Sequence, residues 1–158
     1  MDKIHMDKTQ TVIDTTTNFL AQMGFADNLK PKVSFDAGAD RYLIVLETDN
    51  PALLIGYHGN TLSGLQLFLG QHLHQALGEW INLTVDVNDY RQRREQSLKT
   101  LADSTVEKVL ETNQAYILPP MPASERRVVH VYLAEHPQVS TASSGVGRER
   151  SVIISPKV

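Results

Sequence analysis

Leu54-Ile55-Gly56-Tyr57-His58-Gly59-Asn60-Thr61-Leu62 decides how the first half of this 158-residue chain folds. Two glycines bracket two other residues between apolar helical patterns. Glycine has no Cβ and tolerates a left-handed backbone, so the pair lets two helices meet sharply and lets backbone approach a ligand. The second helix begins at Asn60 or Thr61, and the N–H groups of its first turn have no carbonyl partner one turn earlier. A bound phosphate would satisfy them without any side-chain cation. A tight helix–helix corner uses the same residues, and the string alone is compatible with both.

Working outward, Asn50-Pro51 opens a short helix, a cap residue followed by proline at the first helical position, and Gly56 ends it. Ahead of it, Val12, Ile13, Thr16, Phe19, Leu20 and Met23 recur at helical spacing, and Gly24 follows as a stop. Lys32–Asp36 and Tyr42–Thr48 read as two strands around the Ala37-Gly38-Ala39-Asp40 turn. Beyond Gly59, Leu62, Leu65, Leu69, Leu73, Ala76 and Leu77 form a helical stripe stopped by Gly78. Ile81, Leu83, Val85 and Val87 then alternate with polar residues as a half-buried strand. The expected architecture is α+β, antiparallel strands with helices on one face.

Tyr90 to about Thr112 reads as a longer connecting helix, and the domain boundary is expected near residues 88–90, giving domains 1–88 and 89–158. Arg91, Arg93 and Arg94 fall in that helix's first turn, where the dipole disfavours cations. They are either a solvated face with Glu95 as local partner or a basic platform. A short strand at Tyr116-Ile117-Leu118 is closed by Pro119-Pro120. Ser124 is the expected N-cap of a helix that runs to His136 and stops before Pro137. Val139–Ser143 and Arg150–Ile154 pair around a Ser144-Gly145-Val146-Gly147 loop. Arg126 and His130, four apart, project from one face of the intervening helix. Arg127 lies about 100° away and suits an auxiliary contact or a salt bridge to Glu125 or Glu149.

Composition narrows the function. Hydrophobic content of 41% and charged content of 21% are ordinary for a globular chain. The net charge of −3 hides a polarity: residues 1–88 carry 5 Lys/Arg against 10 Asp/Glu, whereas residues 89–158 carry 10 against 8. With no cysteine there is no disulfide framework and no thiolate chemistry. No apolar run is long enough for a membrane span and no signal-peptide pattern precedes residue 9, so a cytoplasmic location without membrane insertion is expected. His72 and His74 diverge by about 200° on a helix and make a poor chelate. No convergent acid, base, nucleophile or metal set is visible, so neither an enzyme nor a cofactor is expected.

From about residue 9 to 88, the order helix, strand, strand, helix, Gly-x-x-Gly, helix, strand resembles a type II KH domain. Such domains clamp about four nucleotides. The resemblance implies contacts from Gly56, Tyr57, His58, Gly59 and Asn60. The inner positions, Tyr57 and His58, hold no Lys or Arg; Tyr57 is either a stacking surface for a base or sugar or an exposed aromatic without a role. The second half, Glu125-Arg126-Arg127-Val128-Val129-His130 with Thr141-x-Ser143-x-Gly145-x-Gly147-x-x-Arg150, resembles the R-three-H domain, which binds single-stranded DNA or RNA. That resemblance places Arg126 on a phosphate or base and has His130 donate a hydrogen bond or stack, with Arg127, Thr141, Ser143 and Arg150 around them. The tandem resembles the Jag (SpoIIIJ-associated) family of bacterial RNA-binding proteins, without that family's separate N-terminal domain. It implies a post-transcriptional regulator with single-stranded RNA, or single-stranded DNA, as partner. A protein-interaction module is the alternative, its acidic half serving a homodimer or another KH-domain protein.

Overall fold

The computed structural model describes residues 3–25, 29 and 31–157, with side chains from residue 8 onward. Helix α1 (Lys3–Gln22) ends as its sequence demands. Gly24 takes φ 87°, the Gly24 N–H donates to the Ala21 carbonyl, and Phe25 N–H donates to the Leu20 carbonyl. Those paired bonds cap the helix C-terminus. Strands β1 (Pro31–Asp36) and β2 (Arg41–Leu46) form the expected antiparallel hairpin, with Phe35 opposite Tyr42.

Helices α2 (Pro51–Ile55) and α3 (Asn60–Leu77) lead to β3 (Leu83–Val87). Here the arrangement departs from an all-antiparallel sheet: β3 lies beside β2 and runs parallel to it, Ile44 opposite Val85. The connection from β2 to β3 is a helical crossover, and a crossover of that kind returns the chain in the same direction. The sheet order is β1-β2-β3. Leu62, Leu65, Leu69 and Leu73 of α3 are buried with Val12 and Leu20 of α1 and with Tyr42, Ile44, Leu46, Val85 and Val87. Each fully buried Leu or Val of this kind contributes about 1.5–3 kcal/mol, which holds α3, and the turn that precedes it, on the sheet.

Helix α4 (Tyr90–Thr112) matches its expected span. It is followed by β4 (Tyr116–Ile117), α5 (Ala123–Leu133), β5 (Val139–Ser144) and β6 (Ser151–Pro156). The second sheet has the order β4-β6-β5 with both pairings antiparallel. Its core gathers Leu98, Ala102 and Val109 of α4, Val129 and Leu133 of α5, and Val139, Val152 and Ile154 of the sheet.

Two helix limits differ from the sequence reading. Ser124 is not the N-cap of α5; Pro122 holds that position without a side-chain cap bond, and Ser124 lies inside the first turn. Proline's fixed φ leads into a helix without needing a polar cap. At the other end α5 stops at Leu133, and the His136 N–H turns back to the Leu133 carbonyl. The chain divides into two compact units, Met1–Arg91 and Gln92–Val158. The division falls within the first turn of α4, because Arg91 is bonded to the first unit: its N–H donates to Asp86, its Nε to the Val85 carbonyl and its Nη2 to Gln66. No helix among the described residues is long and apolar enough to cross a membrane.

Candidate nucleic-acid interface

In the second unit, one face of α5 meets β5. The strand alternates, so Val139 is buried while Thr141 and Ser143, two and four residues on, stand on the same face of β5, half-buried beside α5. Arg126 and His130, one helical turn apart, reach those hydroxyls. His130 Nδ1 lies 2.7 Å from Thr141 Oγ1, and Nε2 lies 2.8 Å from Ser143 Oγ. Arg126 Nη1 donates to the same Ser143 Oγ at 3.1 Å. The four residues named from the sequence are thus one hydrogen-bonded cluster.

The proton count in this cluster has a consequence. A neutral imidazole donates from one nitrogen and accepts at the other, and each hydroxyl has one hydrogen and two lone pairs. If Nε2 carries the proton, Ser143 Oγ accepts from both His130 and Arg126, Thr141 donates to Nδ1, and the Ser143 hydrogen is left over. If Nδ1 carries it, Ser143 donates to Nε2 and the Thr141 hydrogen is left over. Either tautomer leaves one hydroxyl hydrogen for an outside acceptor, next to a half-buried guanidinium. Burial, and secondly the Arg126 charge, hold the His130 pKa below its ordinary 6.5. The neutral ring is therefore the resting form at neutral pH. Both of its nitrogens already have partners, so His130 orients the two hydroxyls and Arg126 is the cation of the cluster.

The remaining predicted residues of this unit lie apart from the cluster. Arg127 is exposed and lines a cavity of about 380 Å³ with Glu95, Lys99, Ser124, Val128, Val131 and Tyr132. Glu125, one of the two carboxylates offered as its partner, is held by Arg94. Arg150 is exposed just ahead of β6 and joins the cluster by no hydrogen bond. The Arg91/Arg93/Arg94 triplet is not one platform: Arg91 and Arg94 are bonded inward, and Glu95 pairs with Lys99. No local pattern foreshadows the Arg94–Glu125 pair, since 31 residues separate its members.

In the first unit the Gly56–Gly59 turn is a single 3-10 turn between α2 and α3, Tyr57–Gly59. Gly56, His58 and Gly59 all have positive φ, at 67°, 51° and 75°. A Cβ on Gly56 would collide with the Thr61 hydroxyl, so no other residue fits. Tyr57 is 77% exposed, with its ring edge-on to His58 at 4.2 Å between centroids. Asn60 is exposed, and its N–H returns to the Tyr57 carbonyl. All five predicted residues are therefore contiguous at one corner.

An α5 whose arginine and histidine, one turn apart, meet hydroxyls of a following strand defines this half as an R-three-H domain, and the R-three-H domain family matches residues 96–156. The whole chain is 32% identical to a protein named RNA-binding protein KhpB from Clostridium symbiosum, over 98% of this chain and 70% of that one. It is also 39% identical over 112 residues to RNA-binding protein KhpB of Bacillus subtilis, and 38% identical over 109 residues to that of Lactiplantibacillus plantarum. The chain belongs to the KhpB (Jag) family. The aligned stretch covers 69% of this chain in both of the latter cases, but only 53% of the Bacillus protein and 34% of the Lactiplantibacillus one.

Proposed function

We propose that this chain binds single-stranded RNA, with single-stranded DNA as a related ligand, and acts without catalysis as a post-transcriptional regulator in the cytoplasm. The observation that carries the reading is the Arg126–Ser143–His130–Thr141 cluster, which keeps a cation and one spare hydroxyl hydrogen side by side. A phosphate oxygen, or a ribose hydroxyl acting as acceptor, uses both. The names of the family's members support the choice of RNA. The Gly56–Gly59 turn is the second contact: backbone amides for phosphate and the exposed Tyr57 ring for stacking. Gly56, Tyr57, His58, Gly59 and Asn60 serve there, and Arg127 and Arg150 add long-range attraction from exposed positions.

Protein association is a second reading with its own observation. Leu67 and Phe68, adjacent on α3, are 65% and 63% exposed, an apolar pair suited to a second copy or another KH-domain protein. It is compatible with RNA binding. The test that separates them is equilibrium binding of the full chain to a labelled single-stranded RNA and to a duplex of equal length. Tighter binding to the single strand is expected, because neither site is a helix shaped for a duplex groove. Equal or tighter binding to the duplex, or concentration-dependent self-association with no RNA affinity, would leave the protein-interaction reading in its place.

A further inference from the structure

The two glycines of the turn are enforced from different directions. Gly56 is pressed by Thr61, its neighbour in α3, whereas a Cβ on Gly59 would meet the Tyr90 ring, with Cε1 at 3.1 Å and the hydroxyl oxygen at 3.5 Å. Gly59 is buried, and Tyr90 is half-buried against the first core. Tyr90 is the first residue of α4 and follows β3, so it comes to the turn from outside the helix–turn–helix that forms it.

That approach is held in place on both sides. Asn88 and Asp89 both take left-handed φ, 48° and 55°, so the chain turns abruptly out of β3. Asn88 fixes this turn by bridging Thr48: Oδ1 accepts the Thr48 N–H at 3.0 Å and Nδ2 donates to the Thr48 carbonyl at 2.7 Å. On the other side of Tyr90, Arg91 Nε donates to the Val85 carbonyl and Nη2 to Gln66 Oε1, which also accepts the Val85 N–H. Two strained residues before and one clamped residue after leave the ring little freedom to leave Gly59. Such strain persists only where surrounding structure over-determines it, and it concentrates at functional sites.

We propose that Tyr90 is a positioning residue of the Gly-x-x-Gly turn: its ring, seated on Gly59, sets the turn's backbone in the conformation that receives a nucleotide phosphate. This rests on the reading that the turn binds RNA. It makes the first turn of α4 part of that site, so the site reaches past the sequence boundary at residue 88. The ring acts by shape, against a glycine that has no side chain to answer it.

The test uses the full chain and a labelled oligouridylate, with salt titrations of Tyr90→Phe, Tyr90→Leu and the Tyr57→Asp/His58→Asp double variant. Tyr90→Phe keeps the flat ring and should bind as the natural chain does. Tyr90→Leu should bind about tenfold more weakly, the worth of one well-aimed hydrogen bond. Its log–log salt slope should also be shallower by about 0.7, one phosphate contact on a single strand. A merely destabilised protein that is still folded keeps its slope. Should Tyr90→Leu fail to fold, Tyr90→Met, which fills space flexibly without a flat face, carries the same expectation. Unchanged affinity and slope in Tyr90→Leu or Tyr90→Met, with binding weakened in the double Asp variant, would overturn the role of Tyr90 and leave the turn as an RNA site. Unchanged binding in the double Asp variant would remove the turn itself, and Tyr90 with it.

Discussion

Arg94 and Glu125 are joined by two parallel hydrogen bonds, Nε to Oε1 at 2.8 Å and Nη2 to Oε2 at 2.9 Å, which tie α4 to the first turn of α5. The Glu125 side chain is only 9% exposed and that of Arg94 is 30% exposed. A carboxylate in the first turn of a helix is also favoured by the helix dipole. Glu125 immediately precedes Arg126, so this pair fixes the rotation of α5 that turns Arg126 and His130 toward β5.

Neutralising one partner of a mostly buried pair leaves the other without compensation. Glu125→Gln keeps the shape and removes the charge, and it should destabilise the fold by about 2–3 kcal/mol. Urea unfolding measures this directly. An unchanged midpoint would mean that Arg94 finds another acceptor and that α5 is oriented by its apolar face alone.

His130 gives a pH dependence of known sign. Its pKa in the folded chain lies below 6.5, from burial first and the Arg126 charge second. The unfolded chain therefore takes up the proton more readily. The stabilising contribution of neutral His130 is present above about pH 6.5 and is lost as pH falls from there through the folded value. Bound phosphate acts in the opposite direction, favouring the imidazolium, so RNA affinity should rise as pH falls through the same window. A second histidine, His58, belongs to the other proposed contact, which makes the difference between the natural chain and His130→Asn the informative quantity. His130→Asn should flatten the acid limb of stability and reduce the acid gain in affinity. If both pH profiles survive the substitution, the imidazole takes no part in either.

Much of the architecture was legible in the chain itself. Periodicity located α3, α4 and β3, because one face of each is continuously apolar, and the glycines marked the corner between α2 and α3. Arg126 and His130 were readable as a pair because i, i+4 spacing places both on one helix face, whereas Thr141 and Ser143 were named only through the resemblance to the R-three-H domain. What local pattern could not show was long-range pairing. The parallel placement of β3 depends on the crossover, and the partners of Arg91 and Arg94 lie in β3, α3 and α5 rather than next to them in sequence. Tyr90 looked like the start of a connector, since nothing in its neighbourhood points to Gly59, 31 residues earlier.

The central claim is that Arg126 carries the cationic contact of a single-stranded RNA site, and a salt titration tests it most directly. If about three or four phosphates are neutralised in all, the natural chain should show a log–log slope of about −2 to −3 with a single-stranded RNA. Arg126→Ala should weaken binding about tenfold and make the slope shallower by about 0.7, at every pH tested. A folded Arg126→Ala chain that keeps both the affinity and the slope of the natural protein would contradict the account.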